Sequence, residues 1–125
     1  MQHHIEEAKG TNQDVIKAVA INDLFLLENM IKHGLEVNQF NDSELQDSLL
    51  HIAVRNNSDG TVKFLIDKGI NVDLRNKNGE SALHLCCGST FKPQIAELLV
   101  LLGASTGVKN LIGDTPVTLA QRCGH

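Results

Sequence analysis

The residues of this chain that could do chemistry stand together in the stretch Ser-Ala-Leu-His-Leu-Cys-Cys, residues 81–87. A histidine near a cysteine is the pair that thiol nucleophiles use, because the imidazole withdraws the thiol proton. Cysteine and histidine are also common zinc ligands, and a structural zinc site needs about four of them converging on one point. His84, Cys86 and Cys87 are therefore candidates for a nucleophile, a metal site or a redox site, and the alternative is a purely structural role.

The spacing of these residues disfavours catalysis and zinc binding. Side chains two positions apart on a helix, as His84 and Cys86 are, diverge in direction. No nearby residue is an obvious partner to orient the imidazole of His84. The chain has no Cys-x-x-Cys pair, and Cys123 and His125 are far away along the sequence. There is no Gly-rich loop followed by Lys-Ser or Lys-Thr to bind a nucleotide. We expect no enzyme activity, no metal and no cofactor, while redox sensing at Cys87 stays open.

The composition is typical of a folded domain with an aliphatic core. Of the 125 residues 42% are hydrophobic, but only 3% are aromatic and none is Trp or Tyr, so base or sugar stacking is not expected. The 11 basic and 15 acidic residues give a formal net charge of −4, which disfavours a dedicated nucleic-acid binder. The longest apolar run is interrupted by Glu97 and is too short to cross a bilayer, so no membrane insertion is expected.

The cysteines indicate a reducing compartment. Their number is odd and two of them are adjacent, which makes a poor disulfide framework. The N-terminal residues MQHHIEEAKG lack the apolar segment of a secretory signal. We expect a cytoplasmic protein, with the nucleus as the alternative, and a disordered or tag-like N-terminus over residues 1–11.

Internal repetition sets the expected architecture. The segments DSLLHIAVRNN (47–57), ESALHLCCGST (80–90) and DTPVTLAQRCG (114–124) align, with His51 and His84 33 residues apart and Thr118 in the same position of the third segment. The segments MIKHG, LIDKG and VLLG keep the same period and end at Gly34, Gly69 and Gly103. A fixed period of this length is typical of a repeat protein.

Each unit has the signals of two helices and a turn. Ser48, Ser81 and Thr115 are predicted N-caps, whose hydroxyls accept from free amides of the first helical turn. Pro116 follows its cap at the first helical position, where its missing N–H costs little. Gly69 and Gly103 are predicted to end the second helices in a left-handed conformation. An extended stretch with a turn at Asn78 and Gly79 links one unit to the next.

This order of cap, helix, loop, helix, glycine and hairpin resembles the ankyrin repeat, and SLLHIA, SALHLC and DTPVTLA match its Thr-Pro-Leu-His motif. The resemblance implies an all-α solenoid of helix-turn-helix units joined by β-hairpin loops, with about three and a half repeats. The expected bounds are 12–45, 46–78, 79–112 and a partial repeat over 113–125. By the same resemblance His51 would pair with Ser48 and His84 with Ser81, which favours a structural role for both histidines, and Cys86 would fill an alanine position.

The resemblance also implies a function. Ankyrin arrays are rigid templates for protein partners, so we expect a monomeric interaction module that binds a protein or peptide on its concave hairpin and first-helix surface. The alternative is a regulatory segment of a larger signalling enzyme, such as an Arf GTPase-activating protein or a lipid kinase. The sequence stops after RCGH, where the family continues with a second helix, and this favours a chain excised from a longer protein over a natural half-repeat cap.

The candidate partner-binding residues lie at the hairpin tips, before the caps and at the ends of the first helices. They are Asp42, Glu44, Asp47, Arg55, Asn56, Lys77, Asn78, Glu80, Leu111, Ile112 and Asp114. Leu111 and Ile112 are apolar where the preceding hairpin has Lys77 and Asn78. They either pack on the adjacent hairpin or on downstream sequence, or they anchor a partner. By contrast, Leu83, Leu98 and Leu99 are expected in the core.

Overall fold

The computed structural model describes residues 12–39 and 44–125, and over these ranges it contains seven α-helices and no β-strand. In chain order the helices are α1 (Asn12–Ala20), α2 (Leu24–Lys32), α3 (Leu49–Arg55), α4 (Asp59–Asp67), α5 (Ala82–Cys87), α6 (Pro93–Leu101) and α7 (Pro116–Arg122). The expected N-terminal segment 1–11 lies outside the described residues. The expected all-α repeat fold is confirmed.

The helices form antiparallel pairs that stack in one direction. The first helix of each pair, α1, α3 and α5, contacts its own second helix, α2, α4 and α6 respectively. The first helices also contact one another in succession, from α1 through α3 and α5 to α7, and α2 contacts α4. One layer therefore consists of first helices and the other of second helices, with the loops between pairs projecting at one edge.

The predicted N-caps begin three of the first helices. The hydroxyl oxygens of Ser48, Ser81 and Thr115 accept from the backbone N–H groups of the residues three positions later. Pro116 is the first residue of α7, as its position after the cap predicts. These short helices thus gain a partner for one of the free N–H groups that every helix start leaves.

The predicted glycines end the second helices. Gly69 and Gly103 follow α4 and α6 with φ angles of 95° and 105°, a left-handed region that side chains with a Cβ rarely adopt. The next residues, Ile70 and Ala104, donate their N–H groups back to carbonyl oxygens of Leu65 and Leu99 within the last helical turn. The chain therefore turns sharply at each glycine and enters the loop that leads to the next pair.

The loops between pairs are short turns organised by an asparagine. The N–H of Asn76 donates to the carbonyl oxygen of Glu80 at 3.0 Å, and the Asn76 side-chain oxygen accepts from the N–H of Asn78 and of Glu80. Asn110 makes the same bonds one repeat later, with the N–H groups of Ile112 and Asp114. Side-chain acceptors thus hold these turns in place of a strand ladder.

Neighbouring hairpin loops are joined through their backbones. The N–H of Lys77 donates to the carbonyl oxygen of Leu45 at 2.8 Å, and the N–H of Leu111 donates to that of Asn78 at 3.0 Å. Three successive loops therefore lie side by side.

Aliphatic side chains between the two layers form the core. Leu83 and Leu99 are buried, as predicted, and Leu98 is partly buried against the core. Cys86 is fully buried at the position that Ala53 occupies in the preceding pair, where a free cysteine acts as a small apolar group. Within 12–39 and 44–125, no helix has the length and apolar character needed to span a membrane.

Candidate partner-binding surface

His84 is a structural residue, bonded at both ring nitrogens. Nδ1 accepts from the backbone N–H of Ser81 at 3.1 Å and lies 2.9 Å from the Ser81 hydroxyl oxygen. Nε2 lies 2.8 Å from the carbonyl oxygen of Asp114, and because a carbonyl only accepts, Nε2 carries the proton. The ring therefore joins its own N-cap to the next hairpin, and neither nitrogen is free to activate a thiol.

His51 makes the same bonds one repeat earlier. Its Nδ1 accepts from the N–H of Ser48 at 3.1 Å, and its Nε2–H donates to the carbonyl oxygen of Glu80 at 2.6 Å. Burial disfavours the charged form and lowers the pKa of His51 below 6.5, although the bond to Glu80 opposes this shift. The neutral ring with its proton on Nε2 is therefore the form that the structure holds.

Cys86 and Cys87 are not activated for nucleophilic chemistry. Burial raises the pKa of the Cys86 thiol to about 12, and the neighbouring Cys87 adds to the shift. Burial also raises the pKa of Cys87. Reactive cysteines have lowered pKa values, so these two are shifted in the opposite direction. In the part of the chain that the structure describes, no group of three or more His, Cys, Asp or Glu residues is placed to hold a metal ion.

Two of the candidate partner-binding residues are buried, which corrects the expectation that they face a partner. Asp47 is 6% exposed and Asp114 is 4% exposed. Asp47 accepts from Arg55 Nε at 2.7 Å, and Asp114 accepts from Arg122 Nη2 at 2.9 Å. Each carboxylate is thus covered by an arginine from the end of the helix that it precedes.

Asp47 has a second partner across the repeat boundary. The side-chain amide of Asn76 donates to Asp47 Oδ1 at 3.1 Å and to Glu80 Oε1 at the same distance. Burial alone would raise the pKa of Asp47, but the hydrogen bonds from Arg55 and Asn76 outweigh it and hold the pKa below 3.8. This carboxylate therefore stays charged and links two hairpins.

The remaining candidates lie on the edge formed by the hairpin loops and the first helices. Glu44, Arg55, Asn56, Lys77, Asn78, Leu111 and Ile112 are exposed, and Glu80 is partly buried. We call these eight residues the hairpin surface. Asp42 lies outside the described residues. The structure thus brings the candidates of three repeats to one edge, apart from Asp42 and the two buried aspartates.

Leu111 and Ile112 are the most exposed apolar residues of this surface. They are 76% and 80% exposed, although the backbone N–H of Leu111 is bonded to the neighbouring loop. The equivalent residues Lys77 and Asn78 stay exposed with the next hairpin packed beside them. The two apolar residues therefore do not pack on the preceding hairpin, while packing on downstream sequence and partner binding stay as the alternatives.

The sequence prediction missed Asn76 and Asn110, which organise the hairpins. A signal was present, because the two asparagines are 34 residues apart and each precedes its N-cap by five residues. Asparagine is also a common turn residue, since its side chain can bond backbone two residues later.

Comparison with known families identifies the repeats. A family model described as ankyrin repeats, in three copies, matches residues 15–110. Among individual relatives, the B-cell lymphoma 3 protein homolog of Mus musculus is 34% identical over 92 residues, which is 74% of this chain and 20% of that protein.

Two further relatives extend the match. A putative ankyrin repeat protein of Rickettsia bellii is 30% identical over 112 residues, covering 89% of this chain and 61% of its own length. Protein phosphatase 1 regulatory subunit 27 of Mus musculus is 36% identical over 70 residues, covering 56% of this chain and 45% of its own length. The chain spans less than two thirds of each of these relatives. With its stacked helix pairs and histidine-tied caps, this chain belongs to the ankyrin repeat family.

Proposed function

We propose that this chain is a protein-interaction module that holds a protein or peptide partner on its hairpin surface and has no catalytic activity of its own. Ankyrin repeats are protein-interaction modules as a class. The main support for placing the partner on this surface is the exposure of Leu111 and Ile112. Large apolar side chains held on a rigid backbone lose little freedom on binding and are typical anchors of interfaces.

Surrounding polar residues support this surface as an interface. Arg55, Lys77 and Asn78 lie on the same edge as Leu111 and Ile112 and are exposed. An apolar anchor with a polar rim is the usual composition of a transient protein interface. We further propose that the module acts as a monomer in the cytoplasm or the nucleus, and its three free thiols support a reducing compartment.

A regulatory segment of a larger signalling protein is the second candidate. The match to protein phosphatase 1 regulatory subunit 27 favours it, as does the small share of the B-cell lymphoma 3 homolog that this chain covers. In that case the hairpin surface would bind a regulated enzyme, or a domain of its own protein. Arf GTPase-activating proteins and lipid kinases are examples of larger signalling enzymes that such a segment could regulate.

Quantitative affinity capture tests the proposed surface. Bait protein carrying Leu111→Ser and Ile112→Ser is compared with wild-type bait in the same lysate, and the captured proteins are quantified. The matched control is Phe25→Ser, because Phe25 is 88% exposed but lies on α2 in the layer of second helices.

The double substitution is expected to lose specific partners about tenfold or more, as hot-spot truncations of 2 kcal/mol do, while the control keeps them. The thermal midpoints of all three proteins are expected to agree within a few degrees, since exposed side chains contribute little to stability. Partners that survive the double substitution and are lost with Phe25→Ser would contradict the proposal.

A further inference from the structure

The acidic residue before each N-cap has an arginine eight positions later in two repeats and not in the repeat between them. Asp47 pairs with Arg55 and Asp114 pairs with Arg122, in both cases through two hydrogen bonds. The corresponding position after Glu80 is Gly88. Repetition of the fold therefore leaves one carboxylate without the guanidinium that covers its counterparts.

A cleft of about 360 Å³ lies where that arginine would be. Glu80 and Gly88 line it together with the apolar side chains of Leu45 and Leu85, and Ser89 stands at its rim. The space beside Gly88 is open.

A Cβ built on Gly88 would meet only ordinary contacts, at 3.7 Å from the carbonyl oxygen of His84 and 3.9 Å from Leu119 Cδ2. The backbone of Gly88 has a φ of −84° and a ψ of −146°. The neighbours of Gly88 therefore leave room for a side chain, and the glycine leaves the cleft empty of one.

The hydrogen bonds at the cleft favour an occupant that donates to Glu80. Glu80 accepts one bond, from the Asn76 amide, and forms no ion pair with any basic residue that the structure describes. Arg55, which also lines the cleft, is paired with Asp47. Lys92 donates from Nζ to the neutral side chain of Asn57 at 2.7 Å and keeps its positive charge. Glu80 is thus the charged group with unused hydrogen-bonding capacity.

We propose that this cleft receives an arginine side chain of the protein partner, which supplies the guanidinium that Gly88 lacks. A guanidinium presents its N–H donors in a planar fork that matches a carboxylate, and its aliphatic stem would lie along Leu45 and Leu85. The inference rests on the proposed function and specifies the chemistry that the partner must carry at one position. Its location is the centre of the hairpin surface, between the arginines of the flanking repeats.

The test uses small probes and NMR, so it does not depend on knowing the partner. N-acetyl-arginine methylamide is titrated into ¹⁵N-labelled protein, and the matched probe is the citrulline derivative, which is the same shape without the charge. N-acetyl-glutamate methylamide is a third probe, because Arg55 and Lys92 could instead attract an anion. The arginine probe is expected to shift the amide signals of Glu80, Leu85 and Ser89, and the citrulline probe to bind about fivefold more weakly.

Two variants and a control test whether the arginine probe binds at this cleft. Glu80→Gln removes the charge but keeps an acceptor for Asn76, and Gly88→Arg supplies the guanidinium from within the chain. Both are expected to abolish the preference for arginine over citrulline, whereas Glu97→Gln, which removes an exposed charge on α6, is expected to leave it unchanged. A folded Gly88→Arg protein is verified by its own amide spectrum, and Glu80→Gln gives the answer if that protein does not fold.

The outcomes separate this inference from the proposed function. Equal binding of arginine and citrulline, binding of the glutamate probe alone, or no shifts at the cleft would each overturn the arginine site. None of these results would affect the Leu111 and Ile112 capture experiment. If the Leu111→Ser and Ile112→Ser bait captured the same proteins as wild type while the arginine probe still bound, the proposed surface would be rejected and the cleft would stand as a cation site.

Discussion

The ring of His51 donates from Nε2 to the carbonyl oxygen of Glu80, 29 residues later, across a distance of 2.6 Å. His84 repeats this bond to Asp114. Because each ring is also bonded to the serine that caps its own helix, the two histidines join the hairpins at Glu80 and Asp114 to the repeats before them. Buried histidine bonds thus add to the backbone bonds between neighbouring loops in holding these two hairpins.

Replacing His84 with alanine is expected to lower the free energy of unfolding. The substitution leaves the Ser81 N–H and the Asp114 carbonyl oxygen without their partner, and each unsatisfied buried group costs about 1–3 kcal/mol. Urea denaturation should show a loss of at least about 2 kcal/mol in the free energy of unfolding. His33→Ala is the control, because His33 is exposed and bonds only within its own helix end. An equal effect of the two substitutions would contradict the structural role of His84.

Leu99→Ala is expected to cost about 2–5 kcal/mol, because Leu99 is fully buried and the substitution leaves a cavity between the layers. Leu101→Ala in the same helix is the matched control, since Leu101 is 78% exposed and its loss should change stability by less than about 1 kcal/mol. The measurement is chemical denaturation of both variants beside wild type. If the Leu99 variant were as stable as wild type, the assignment of core and surface faces on α6 would be wrong.

Thiol alkylation should proceed in a fixed order at mildly alkaline pH. Cys123 is exposed and should react first, Cys87 more slowly, and Cys86 only when the chain unfolds, because burial raises the pKa of the last two. Mass spectrometry of iodoacetamide-treated protein over time gives the order, and in denaturant all three should react at similar rates. Alkylation of Cys87 before Cys123 in the folded protein would support a redox role for Cys87 instead.

Stability should fall as the pH is lowered through the unfolded pKa of His51. Because burial lowers the pKa of His51 below 6.5 in the folded chain, the unfolded chain binds a proton more readily near that pH. The contribution of this group to the free energy of unfolding is therefore complete above about pH 6.5 and declines below it. Denaturation at several pH values and an NMR titration of the His51 ring would measure both quantities. A folded-state pKa above 6.5 would reverse the sign and contradict the neutral ring.

The local features of this fold were predictable from sequence. The serine caps and the glycines after α4 and α6 follow from local rules for helix ends. The bonds between these serines and the histidines were implied by the resemblance to ankyrin repeats. The burial of Asp47 was not predictable in this way, because Asn76 comes from another repeat. One signal was available but unused, namely the eight-residue spacing from Asp47 to Arg55 that recurs between Asp114 and Arg122.

The exposure of Leu111 and Ile112 also needed the structure. From sequence, two apolar residues at a hairpin tip fit either packing or partner binding, and periodicity does not separate the two. The structure shows that both side chains are exposed although the backbone of Leu111 is bonded to the preceding hairpin, which excludes packing on that hairpin. The empty cleft beside Gly88 likewise depends on where Glu80 lies relative to that glycine.

The most direct test of the account is an NMR footprint of a bound partner. A protein captured by the wild-type chain, or a peptide derived from it, is titrated into ¹⁵N-labelled protein, and the shifted amides are assigned. We predict that the largest shifts fall on the loops and first helices around Leu111, Ile112 and Glu80, with the second helices unaffected. A footprint centred on α2 and α4, around Phe25 and Phe64, with no shifts at the hairpin loops, would contradict it.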